Sequence, residues 1–142
     1  MAAKTLYDTD FAEWADHTSE LIRSGRFTEI DAANVAEEIA SLGRAERKAI
    51  RSQLQRLMMH KIKQQIQPEP DGKSWRASIA EARQAIREDI RNSPSLRRHL
   101  EENLQEIYRD AMELAMIETR IDYSPVPDKC PWDLDTLLES QI

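Results

Sequence analysis

Apolar residues recur at steps of three and four along almost the whole chain, the period of one face of an α-helix rather than of a half-buried strand. Tyr7, Phe11, Trp14, Thr18, Leu21 and Ile22 form one such stripe, and Ile30, Val35, Ile39 and Leu42 a second. Ile50, Leu54, Leu57, Met58 and Ile62 form a third, and Trp75, Ile79, Ala82, Ile86 and Ile90 a fourth. Leu96, Leu100, Leu104, Ile107, Ala111 and Leu114 complete the series. With only three glycines and six prolines to interrupt them, these stripes predict an all-α chain without internal repeats. Although 32% of the residues are charged, 40% are hydrophobic and regularly placed, which argues for a packed core rather than disorder.

Local punctuation sets the expected boundaries. The first helix is predicted from about Asp8, as cap, to Ser24-Gly25. Thr28 and Asp31 form a near capping box for the second, which Gly43 is expected to stop. The third is placed over Ala45–Ile66, followed by a loop containing Pro68, Pro70 and Asp71-Gly72. Ser74 is the predicted cap of the fourth, which Asn92 closes. Ser93 caps the fifth, with Pro94 in its first turn, and the stripe continues to about Thr119. A proline-containing stretch, Ser124 to Pro131, leads to a short helix capped by Asp133, with Trp132 stapled onto Leu137. Short connections imply antiparallel neighbours. The expectation is one domain over residues 1–142, an antiparallel bundle of five main helices plus a short C-terminal helix.

Length supports a self-sufficient core, since a chain of 142 residues buries roughly 68–70% of its unfolded surface without a disulfide or metal. Cys130 is the one cysteine and cannot form an internal disulfide. No run approaches a membrane span, and Met1–Tyr7 lacks the apolar stretch of a secretory signal. The expected location is cytoplasmic, with no membrane association. The net charge of −6 is unevenly spread. Residues 1–43 carry three basic and nine acidic groups, residues 44–98 fourteen and six, and residues 99–142 three and eleven.

Several landmarks occur in order: Leu6-Tyr7-x-x-Asp10-Phe11, Trp14, Gly25-Arg26-Phe27, Glu37-Glu38-Ile39-x-Ser41-Leu42-Gly43, His60, Ser74-Trp75-x-x-Ser78-Ile79, Arg83, Ser93-Pro94-Ser95-Leu96 and Cys130-Pro131-Trp132. In these the chain resembles the bacterial domain-of-unknown-function family 29 over about residues 5–140. The resemblance implies a small helical bacterial protein and brings no established activity, cofactor or catalytic residue. The family often has an aromatic residue four positions after the histidine, where this chain has Gln64.

The chemistry-bearing residues give a short list. His60 lies beside the third stripe and is a candidate general base or metal ligand, against the more ordinary reading of a half-buried histidine bonded to a carboxylate on a neighbouring helix. Glu37 and Glu38 are the carboxylates that could meet it, although a tight turn at Gly43 would place Arg47, Lys48 and Arg51 nearer to them in height. Trp75, flanked by Lys73 and Arg76 at a helix start, is with His60 a candidate anion-binding group. No metal site or cofactor is expected: no histidine has a glutamate three residues before it, as a di-iron bundle requires. Nothing near Cys130 lowers its pKa, so a packed thiol is expected. No Gly-rich phosphate loop or Gly-x-Ser-x-Gly elbow is present.

Three functional readings remain. The favoured one is a non-catalytic interaction or regulatory protein with a protein partner or homo-oligomer. The alternative is a small enzyme or anion-binding protein with a pocket near His60, Trp75 and Arg76. The third is a nucleic-acid binder through Arg44, Arg47, Lys48 and Arg51, with Arg83 and Arg87 on the next helix. The third is disfavoured, because no aromatic residues interleave with the arginines and the acidic segments can neutralise the basic middle internally.

Overall fold

The structure is a computed structural model that describes residues 5–67, 73–122 and 126–139. Seven α-helices occur among these residues: α1 (Leu6–Thr9), α2 (Phe11–Arg23), α3 (Ala32–Ile66), α4 (Lys73–Asn92), α5 (Ser95–Glu102), α6 (Leu104–Thr119) and α7 (Leu134–Leu138). A 3-10 turn covers Phe27–Glu29, and no strand occurs among the described residues. The all-α expectation holds. The chain divides into two compact units, Met1–Ala45 and Glu46–Ile142.

In the first unit Asp10, not Asp8, is the cap of the main helix: its Oδ1 accepts from the Glu13 amide at 3.1 Å. Asp8 instead accepts from the Thr5 hydroxyl at 2.9 Å within the preceding single turn. Gly25 ends α2 as anticipated, in the left-handed region at φ 73° that costs glycine little. The following Arg26 amide closes onto the Leu21 carbonyl at 2.9 Å. Trp14, Thr18 and Leu21 are buried, and Tyr7, Phe11 and Trp14 meet in tilted and edge-on contacts with ring centroids 4.7–5.8 Å apart.

The second and third predicted helices are one. Gly43 lies inside the 35-residue α3, because an interior glycine costs only about 1 kcal/mol relative to alanine and no proline or asparagine follows to force a turn. Arg44 bridges back across it, donating to Glu37 at 2.5 Å and to the Ser41 hydroxyl at 2.8 Å. Asp31 supplies the start, accepting from the Asn34 amide at 3.2 Å. The predicted burial of Ile39 and Leu42 is also overturned: both are exposed.

The second unit holds the main core. Ile50, Leu54, Leu57, Met58 and Ile62 of α3, each fully buried, meet Ile79, Ala82 and Ile86 of α4. Leu96 and Leu100 of α5, Ile107, Tyr108, Ala111 and Ala115 of α6, and Leu134, Leu137 and Leu138 of α7 complete the cluster. The α3 stripe is the one the periodicity predicts. The predicted fifth helix is split at Asn103 into α5 and α6, because the Asn103 side chain bonds the His99 carbonyl at 2.7 Å and competes with the helical ladder. Ser93 does not cap α5; its hydroxyl reaches Glu46 at 3.2 Å, while its carbonyl accepts from the Leu96 amide. Leu114, placed in the core by the stripe, is exposed.

Ion pairs fix relative directions within this unit. Arg51 pairs with Glu106 at 3.0 Å and Asp110 at 3.5 Å, and Lys63 pairs with Glu118. Position advances along α3 and α6 together, so these helices run parallel, with α4 returning between them in sequence. Basic α3 thus meets acidic α6, the internal complementarity anticipated from the charge distribution. The proline loop at 68–72, the side chain of the predicted cap Ser74, and residues 123–125 of the Ser124–Pro131 stretch lie outside the described residues.

Candidate functional site

The sequence-predicted groups divide between the two compact units. Glu37 is exposed and paired with Arg44; Glu38 accepts a hydrogen bond from the Tyr7 hydroxyl. That bond, with burial and the charge of Glu38 behind it, pushes the Tyr7 pKa up to about 12. The hairpin expected to deliver Arg47, Lys48 and Arg51 to these glutamates is replaced by the continuous α3. Both glutamates are therefore occupied within the first unit, whereas His60, Trp75 and Arg76 belong to the second. Trp75 is half-buried and Arg76 exposed, both in the first turn of α4.

His60 is half-buried on α3, and its Nδ1 is buried without a hydrogen-bond partner among the described residues. Burial lowers its pKa, and Lys63 and Arg56 add to that effect, while Glu118 partly opposes it. The ring is held toward its neutral form. No group of three or more His, Cys, Asp and Glu side chains able to hold a metal occurs among the described residues.

A different constellation, which no contiguous motif announces, forms where α7 lies along α4. Asp133 caps α7, accepting from the Thr136 amide at 2.8 Å as predicted. The other end is capped by guanidinium groups: buried Arg83 donates Nε–H to the Leu137 carbonyl at 3.0 Å, and Arg87 donates to the Leu138 carbonyl. Cations there satisfy orphan carbonyls and face the negative end of the helix dipole. Lys61 of α3 places Nζ 5.2 Å from the Trp132 ring centroid, within cation–π range. Burial and the nearby Arg83 charge lower the Lys61 pKa; burial and Arg87 do the same to Arg83. Three cations thus converge, and among the described residues none has a carboxylate in ion-pair contact.

Trp132 packs against the core that contains Leu137 and meets Tyr108 edge-on, with centroids 5.9 Å apart. Tyr108 donates to the Pro127 carbonyl at 2.5 Å, and Gln105 bonds the Asp128 carbonyl and the Cys130 amide, each at 2.8 Å. These contacts seat residues 126–133 on α6. Cys130 directs its thiol to the Trp132 carbonyl at 3.3 Å, and burial pushes its pKa up. It is a packed thiol rather than an activated one. The i, i+4 spacing of Arg83 and Arg87 was readable in advance; their use as caps for a helix about fifty residues later was not.

The family model described as domain of unknown function DUF29 matches residues 6–142. The chain belongs to this family. The family carries no established activity. No curated protein and no solved structure matches the chain.

Proposed function

We propose that this member of the family is a non-catalytic interaction protein whose first unit presents an apolar face to a protein partner. One observation carries the reading: Ile39 and Leu42, one turn apart on α3, are 63% and 69% exposed, and Phe27 is 63% exposed. Covering a side chain of this kind stabilises by about 1.5–3 kcal/mol, and contiguous exposed apolar surface marks interaction sites. A unit of this size is also near the lower limit for folding on its own core, so a partner would stabilise it. Glu37 and Glu38 are engaged by Arg44 and Tyr7 within the first unit, which supports an interaction role over an acid–base one. A cytoplasmic location fits a single packed thiol, and no helix among the described residues is long and apolar enough to cross a membrane.

Photo-crosslinking tests the proposal. A benzophenone side chain at position 39 or 42 should yield discrete higher-mass adducts in cells, and the same group at exposed Arg98 should not. Equal adduct formation at all three positions, or none at 39 and 42, refutes it. A second reading, anion binding, draws on the convergence of Lys61, Arg83 and Arg87 rather than on Trp75 and Arg76.

A further inference from the structure

We infer that α6 carries a second, self-complementary docking surface, and that its partner is a second copy of this chain related by a two-fold axis. This goes beyond the interaction reading above by naming a partner and a different surface. The last three turns of α6 and the residues after them line a groove of about 570 Å³. Arg109, Glu113, Met116, Ile117, Arg120 and Ile121 contribute to its walls. Ile117 is 65% exposed. The groove is concave because Arg120, the one non-glycine residue with positive φ (59°) among the described residues, turns the chain out of the helix so that Ile121 and Asp122 follow around its end.

The order of side chains selects the occupant. Glu113, Met116 and Ile117 succeed one another along the outward side of α6 and Arg120 follows at its left-handed end, so an acid and a base flank two large apolar residues. Neither Glu113 nor Arg120 has an ion pair among the described residues. Counted along the chain, their midpoint falls between Met116 and Ile117, with Glu113 about 5 Å before it along the axis and Arg120 just past the helix end. A second α6 laid antiparallel across that midpoint brings Glu113 opposite the partner's Arg120, and Arg120 opposite the partner's Glu113. Met116 of each copy then meets Ile117 of the other. A parallel arrangement would oppose like charges, so the pattern specifies direction as well as partner. Two-fold association makes each side chain count twice.

Sedimentation or light scattering of the full chain tests this. The unaltered protein should dimerise, and Ile117→Glu should leave it monomeric with an unchanged circular dichroism spectrum. Glu113→Arg and Arg120→Glu should each weaken the dimer about tenfold or more, because each opposes like charges twice. The combined Glu113→Arg/Arg120→Glu variant restores opposite charges and should return to within about threefold of the unaltered dimer. A monomer for the unaltered chain, a dimer indifferent to Ile117→Glu, or a double variant no stronger than the single ones overturns the proposal. Adducts at positions 39 and 42 that persist in a monomeric Ile117→Glu protein would show that the first-unit surface stands on its own. Loss of those adducts with an intact dimer would show the reverse.

Discussion

Replacing Tyr108 by phenylalanine removes one oxygen from the centre of the second unit and leaves the ring in place. Tyr108 is 0% exposed, and its hydroxyl donates to the Pro127 carbonyl at 2.5 Å. Burial, helped by Cys130 and Asp128, raises its pKa, so the group is the neutral donor at all ordinary pH. A neutral intramolecular hydrogen bond contributes about 0.5–1.5 kcal/mol net. Pro127 is exposed, so its carbonyl can be rehydrated and adds little further cost. Tyr108→Phe should therefore cost about 1 kcal/mol, near the middle of that range. Tyr108→Ala also removes the ring from the core and from its edge contact with Trp132, which should cost about 3–5 kcal/mol. Denaturant unfolding followed by circular dichroism gives both numbers, and amide exchange should show residues 126–133 opening first in the phenylalanine variant. A Tyr108→Phe loss above about 3 kcal/mol, or an alanine loss no larger than that of phenylalanine, would show that the hydroxyl and ring do not act as reasoned.

His60 should make stability pH-dependent: its folded pKa lies below the ordinary 6.5, so the unfolded chain binds more protons between the two values. Stability is then fully present above pH 6.5 and is lost as pH falls through that window. Melting temperatures across it should fall less in His60→Gln, and parallel curves would discount the ring. Inorganic phosphate should raise the melting temperature of the unaltered chain more than that of an Arg83→Gln/Arg87→Gln variant if the cations under α7 bind anions, whereas equal shifts would exclude that site.

Much of this protein is determined locally. Gly25, the Asp133 cap and the stripe from Ile50 to Ile62 follow from backbone preference and helical period, and they occupy the places those rules give them. Other outcomes depend on what each residue meets. Gly43 is permitted both to end a helix and to continue one, and only the surrounding chain selects continuation, with Arg44 bridging to Glu37 across it. Ile39 and Leu42 keep perfect periodicity yet remain in solvent, because burial requires a covering element and periodicity records only a shared face. Asn103 breaks a stripe that runs unbroken in sequence, since its amide finds the His99 carbonyl. Lys61, Arg83 and Arg87 become one electrostatic cluster only when α3, α4 and the α7 segment pack together. Charge acts through distance in space, and a linear sequence records that distance only for neighbours a few residues apart.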